Sequence, residues 1–342
     1  MVEDSPSMRN LLCEILAQSG DFDVRCAKDP YEARIVIKQF EPHVVTLDIE
    51  MPKMDGITFL SNLMKLYPLP VVMLSTLTHR GSEATLLALE VGAVDFIAKP
   101  TLDENSVSFT KFAKELHEKI MMAANSYDIV RNKRNAIALK DRVQVGVADQ
   151  PKLDGRVIAV GASTGGIEAI KLLLQSLPTW MPPIVITQHV PSFFSEKFAK
   201  RLNNCLDFNI KQAEQGDVLK SGCVYIAPGD YHLEVQKRNG ELVCALNQLE
   251  KVNMHRPSVD VMFNSLAALA PSHVMMVLLT GMGKDGAQGM NVVAEKGACS
   301  IVQDEKTSIV WGMPGSAVAL GGVEHILPIN EMSEKIQNYF LK

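Results

Sequence analysis

No stretch of this 342-residue chain stays apolar over the roughly 18 residues that a membrane helix needs, so the sequence predicts no membrane insertion. It has no basic surplus: 34 Lys and Arg stand against 39 Asp and Glu, a net charge of −5. A nucleic-acid binder needs a basic face, and no helix-turn-helix or basic recognition helix is visible, so no nucleic-acid partner is expected. The six cysteines, Cys13, Cys26, Cys205, Cys223, Cys244 and Cys299, contain no CxxC pair and no Cys/His spacing of a zinc site. They read as reduced thiols of a cytoplasmic protein. The acidic, polar start lacks the basic and apolar regions of a signal peptide. No repeat and no low-complexity tract interrupts the chain. What is present is ordinary globular composition, 47% apolar and 21% charged, at a length that suits two domains.

The first part alternates strand and helix signals. "DVRCA", "HVVTLDI", "PVVMLST" and "VDFIAKP" read as strands. Between them come helices at "DPYEARIVIKQF", where Asp29 caps and Pro30 takes the first position, at "ITFLSNLMKLY", and at "SEATLLALEVG", closed by Gly92. A last amphipathic helix is expected over about 106–124. This βα alternation predicts a doubly wound parallel sheet over residues 1–124. Periodicity fades over 125–153, a linker that is partly helical at its start. A second parallel-sheet α/β domain, Rossmann-like, is expected over 154–342, with strands "VIAVG", "PIVITQH", "VMMVLLT" and "ACSIVQD". The segment "GCVYIAPGDYHLEVQKRNGELVCAL" alternates around "RNG" and predicts a β-hairpin on that domain.

Parallel sheets place their chemistry at the carboxyl ends of strands. In the first domain those ends carry Asp48, Ser75 with Thr76, and Lys99, while Glu3 and Asp4 follow the chain start. Clustered carboxylates suit Mg²⁺, and one of them can accept a phosphoryl group. In the second domain "GASTG" fits G-x-S-x-G, with Ser163 on a strand-to-helix turn whose N–H groups favour negative charge. That suits phosphate binding or attack on a carbonyl. A nucleophilic serine needs a base. Of His43, His79, His117, His189, His232, His255, His273 and His325, only His189 directly follows an apolar strand of the same domain. His255, in "NMHRPSVD", is the best rival. Asp285, in the glycine-rich loop after "VMMVLLT", would orient the base, and amides near Met282 and Gly283 could face an oxyanion. A competing reading takes "GMGKDG" with Asp304 as a dinucleotide fingerprint, but an anionic Asp285 would be unwelcome beside a pyrophosphate.

"VEDSPSMR", "VVTLDIEMPKMDGITFL", "PVVMLST" and "DFIAKP" resemble the marks of a two-component receiver domain, of flavodoxin-like fold. With "VGASTGG", "TQHVP", "MHRPSVDVMF", "LLTGMGKDGAQGM" and "IVQDEKTSIVWGMP", nearly the whole chain resembles the bacterial chemotaxis protein-glutamate methylesterases. The resemblance implies that Asp48 is phosphorylated and that Glu3, Asp4 and Asp48 hold Mg²⁺. Ser75 would be the switch hydroxyl and Lys99 the phosphate contact. It implies a Ser163–His189–Asp285 triad, with the Met282 amide in the oxyanion hole and Thr164 and Arg256 at the cleft. The expected activity is hydrolysis of glutamate γ-methyl esters on chemoreceptor helices, and deamidation of receptor glutamines, without a cofactor for hydrolysis. The expected partners are methyl-accepting chemoreceptors and a chemotaxis histidine kinase. The alternative is a response regulator whose second domain binds a nucleotide or partner without catalysis. Only Met1 and Val2 precede Glu3, so the receiver's central strand is nearly missing, and a native start upstream of Met1 is expected.

Overall fold

The computed structural model describes residues 1–76, 79–100, 106–132 and 153–341, and the chain divides into two compact units, 1–136 and 137–342. The first unit runs α1 (Pro6–Ser19), α2 (Pro30–Phe40), β1 (Val45–Asp48), α3 (Gly56–Leu66), β2 (Val71–Ser75), α4 (His79–Val91), β3 (Asp95–Ala98), α5 (Ser106–Asn125) and α6 (Tyr127–Asn132). The Asp29 side chain caps α2 by accepting from the N–H groups of Tyr31 and Glu32, with Pro30 at the first helical position. The strands form a parallel sheet in the order β1-β2-β3. All of β1 and β2 is buried, which is why both read as continuous apolar runs.

The central strand survives as one residue. Val2 bridges Ala27 on one side and Leu47 on the other, both in parallel sense. Its N–H donates to Thr46 O at 2.8 Å, and its carbonyl accepts from Asp48 N at 3.0 Å. Ala27 is served in turn by Met1 O and Glu3 N. These bonds pair the backbone groups of Ala27, Thr46 and Asp48 that face Met1 to Glu3. The strand expected at "DVRCA" shrinks to the bridge at Ala27, because a ladder can be no longer than its shorter partner. Helix α1, which carried no sequence assignment, packs Leu12, Ile15 and Leu16 inward. Residues 133–152, most of the expected linker, lie outside the described residues, and its first part is α6.

The second unit runs β4 (Val157–Ala162), α7 (Gly166–Ser176), β5 (Ile184–Gln188), α8 (Ser192–Cys205), β6 (Asn209–Gln212), β7 (Cys223–Ile226), β8 (His232–Arg238), β9 (Glu241–Asn247), α9 (Val259–Ser265), β10 (Val274–Leu278), α10 (Ala287–Ala294), β11 (Cys299–Gln303), α11 (Gly312–Leu320), β12 (His325–Leu327) and α12 (Ile329–Phe340). Seven strands form a parallel sheet in the order β12-β11-β10-β4-β5-β7-β6. The predicted hairpin is β8-β9, antiparallel through a turn at Asn239 (φ 51°) and Gly240 (φ 89°), as a type I′ turn requires. "GCVYI" is not part of it; those residues become β7 of the main sheet. The hairpin buries Leu233, Val235 and Cys244 in the same core as Val259, Met262 and Phe263 of α9. From β4 the chain crosses to β5 on one side, and β10 fills the other. The carboxyl end of β4 is therefore the switch point where such sheets open a crevice. No helix among the described residues is long and apolar enough to cross a membrane.

Candidate active site and acidic cluster

Ser163 follows β4 directly. Its N–H donates to Thr280 O at 3.1 Å, and its carbonyl accepts from Gly166 N at 2.8 Å and from the Gln188 side chain at 2.9 Å. Gly165 turns the chain into α7 at φ 75°, in the left-handed region. Gly281 approaches from the next loop so closely that a Cβ there would sit 2.9 Å from Ser163 Cβ and 2.3 Å from Met313 Sδ. The serine is thereby fixed by β4, β5 and the loop after β10.

His189 follows β5, its N–H held by Ala162 O at 3.2 Å. Its Nε2 lies 2.8 Å from Asp285 Oδ2, with both side chains buried. Asp285 Oδ2 also accepts from Val259 N at 2.7 Å. Its Oδ1 accepts from Ser258 Oγ at 2.7 Å, Asn253 Nδ2 at 2.8 Å and Asp260 N at 3.2 Å. Burial pushes the Asp285 carboxyl up, but the hydrogen bond and charge of His189, then Asn253 and Ser258, outweigh it and hold the group well below the usual carboxylate range. An ionised Asp285 facing Nε2 keeps the proton there. Nδ1, buried and without a partner, is left as the basic nitrogen. This is the reverse of the Ser-His-Asp template, in which Nδ1 faces the carboxylate. His189 Nδ1 makes no hydrogen bond to Ser163 Oγ. The N–H groups of Met282 and Gly283 have no partner among the described residues, and Met282 lies partly exposed.

In the first unit, carboxylate oxygens of Glu3, Asp4 and Asp48 all lie within 4.8 Å of one another. Lys99 Nζ joins them, 2.7 Å from Asp48 Oδ2 and 2.8 Å from Glu3 Oε2. Burial raises the pKa values of Glu3 and Asp48, against the pull of Lys99. Burial lowers that of Lys99, and its two carboxylate partners more than restore it. The donor set is anionic and all oxygen, which fits a small hard cation. Ser75 Oγ is buried and accepts from Thr85 Oγ1 at 2.8 Å.

A family model described as CheB methylesterase matches residues 158–336, and one described as response regulator receiver domain matches 1–108. A protein-glutamate methylesterase/protein-glutamine glutaminase of Hahella chejuensis is 46% identical, covering 99% of this chain and 95% of its own. One from Vibrio vulnificus is 47% identical over 98% and 95%. The chain belongs to the CheB methylesterase family. The crystal structure of the Thermotoga maritima CheB catalytic domain matches with a TM-score of 0.52 and 38% identity, covering 54% of this chain and 98% of that one.

Within this CheB framework the remaining candidates make the following contacts. Arg256 does not present a free guanidinium to the cleft. Its Nε and Nη2 hold Asp230 Oδ1 at 3.1 and 2.7 Å, and Nη1 holds the carbonyls of Gln248 and Leu249, each at 3.0 Å. It braces the loops on which the site stands. Thr164 sits in the turn after Ser163, its carbonyl accepting from Thr280 Oγ1 at 3.0 Å. His255 lies flat on His189, with ring centroids 3.7 Å apart and planes 10° apart. Burial first, then the neighbouring imidazole, lowers its pKa to about 4, so it stays neutral and shields its neighbour from water. His232 is saturated by Ser258 N and Glu250 O, His117 pairs with Asp21, and His43 packs on Tyr127. His273 packs near Gly155, and His325 pairs with Glu324. The side chain of His79 lies outside the described residues. The dinucleotide reading fails on two points: Asp285 is turned inward onto His189, and Asp304 caps its own turn through Thr307. Asn253 and Ser258, which hold Asp285, carried no sequence signal of their own.

Proposed function

We propose that this chain hydrolyses glutamate γ-methyl esters on the helices of methyl-accepting chemoreceptors and deamidates receptor glutamines, under control of phosphorylation at Asp48. The observation that carries the reading is Asp285, ionised and locked onto His189 Nε2, beside a serine on a switch-point turn. His189 Nδ1 takes the proton of Ser163, whose Oγ attacks the side-chain carbonyl. The Met282 N–H supports the oxyanion. Methanol, or ammonia from a glutamine, leaves with the proton from His189, and water releases the acyl group by the same route. None of these steps calls on a metal.

The receiver unit would accept its phosphoryl group from a chemotaxis histidine kinase in the cytoplasm. Glu3, Asp4 and Asp48 would hold Mg²⁺, which when bound offsets negative charge around the phosphoryl oxygens. Lys99 and Ser75 would contact the phosphoryl group on Asp48 and shift a two-state surface. A fluorophosphonate probe with peptide mapping tests the catalytic half. Labelling at Ser163 is expected, and its absence from folded protein would favour a binding domain. Ser163→Ala should lower kcat by about 10⁴-fold or more while Asp48 still accepts phosphate from a small phosphodonor.

A further inference from the structure

Neither site uses a cysteine, yet two of the free thiols meet. Cys13 Sγ lies 2.7 Å from Cys26 Sγ. That is well inside the separation of about 3.5–4.0 Å at which non-bonded heavy atoms settle. Cys205, Cys223, Cys244 and Cys299 make no sulfur–sulfur contact among the described residues. The pair joins two elements that frame the acidic cluster. Cys13 is on α1, one turn beyond Arg9, whose Nη1 donates to the carbonyls of Glu3 at 2.7 Å and Asp4 at 3.2 Å. Cys26 precedes Ala27, whose N–H and carbonyl pair with Met1 O and Glu3 N. Both cysteines are half-buried, which leaves a path for a small oxidant.

We propose that Cys13 and Cys26 are a site of reversible oxidative modification, where hydrogen peroxide converts the two thiols into one intramolecular disulfide stapling α1 to the 25–27 segment. The inference does not rest on the hydrolase reading. One thiolate sulfur attacks a peroxide oxygen, the O–O bond breaks, and a sulfenic acid and water form. The second sulfur displaces that oxygen as another water. Two thiol protons end in water, and the two electrons released by the sulfurs reduce the peroxide. Burial, then the adjacent thiol, raises Cys13 to about 11, so its thiolate is scarce at neutral pH and the reaction quickens as the medium is made alkaline.

The test treats the full chain with hydrogen peroxide, quenches free thiols with an alkylating agent, and maps tryptic peptides. The expected product is peptide 10–25 joined to peptide 26–28, two hydrogens lighter than the separate pair, and restored by dithiothreitol. No linked product should involve the exposed Cys205. Cys13→Ser should leave Cys26 as a sulfenic acid that dimedone traps, with no linked peptide. Recovery of separate alkylated or over-oxidised Cys13 and Cys26 peptides from the unmutated chain, or linkage through Cys205 instead, would overturn the proposal.

Discussion

Five donors converge on the Asp285 carboxylate: His189 Nε2, Ser258 Oγ, Asn253 Nδ2 and the N–H groups of Val259 and Asp260. The last two belong to the first turn of α9, where the helix dipole favours an anion. Removing one uncharged donor weakens the grip without abolishing it. Ser258→Ala should lower kcat/KM about 10- to 100-fold with little change in KM, read from steady-state ester hydrolysis. His255 affects stability more than chemistry. It binds a proton only near pH 4 in the folded chain, where it faces His189, Asp285 and Lys251, against 6.5 in solvent. The unfolded chain therefore carries more protons between those values, and stability falls as pH drops from 6.5 to 4. His255→Gln should flatten that dependence, seen as urea midpoints that change less over the same interval.

Glycines at two turns separate strain from crowding. Gly240 in the β8-β9 turn has φ 89° and open space around its Cβ position. Gly240→Ala should cost about 1 kcal/mol in urea unfolding and leave turnover unchanged. Gly281 has an ordinary φ but no room, so Gly281→Ala must push Ser163 or Met313 aside. About a 10²-fold loss of kcat is expected in a folded protein. This contrast also shows what the sequence could disclose. Strand–turn–helix punctuation marked Ser163, a strand end marked His189, and glycines marked the Asp285 loop, because each signal is local. The parts that stayed hidden depend on packing from afar. Asn253 reaches Asp285 through a loop held by Arg256, and His255 matters only because its ring meets His189. Short β6, β7 and β12 borrow their regularity from neighbours, and Val2 is a strand only by virtue of Ala27 and Leu47.

Each unit has its own sheet and core, and Ser163, His189 and Asp285 all come from the second. A fragment covering 153–342 should fold alone and hydrolyse ester. In a receiver-controlled enzyme its basal rate should exceed that of the unphosphorylated full chain. Equal or lower turnover by the folded fragment would remove inhibition within the chain from the account.

One polypeptide thus carries the phosphate-accepting module and the hydrolytic module in a fixed one-to-one ratio. Fluctuations in expression scale both together, so no hydrolytic module is made without its receiver. Two separately encoded proteins would have to match their abundances to achieve the same.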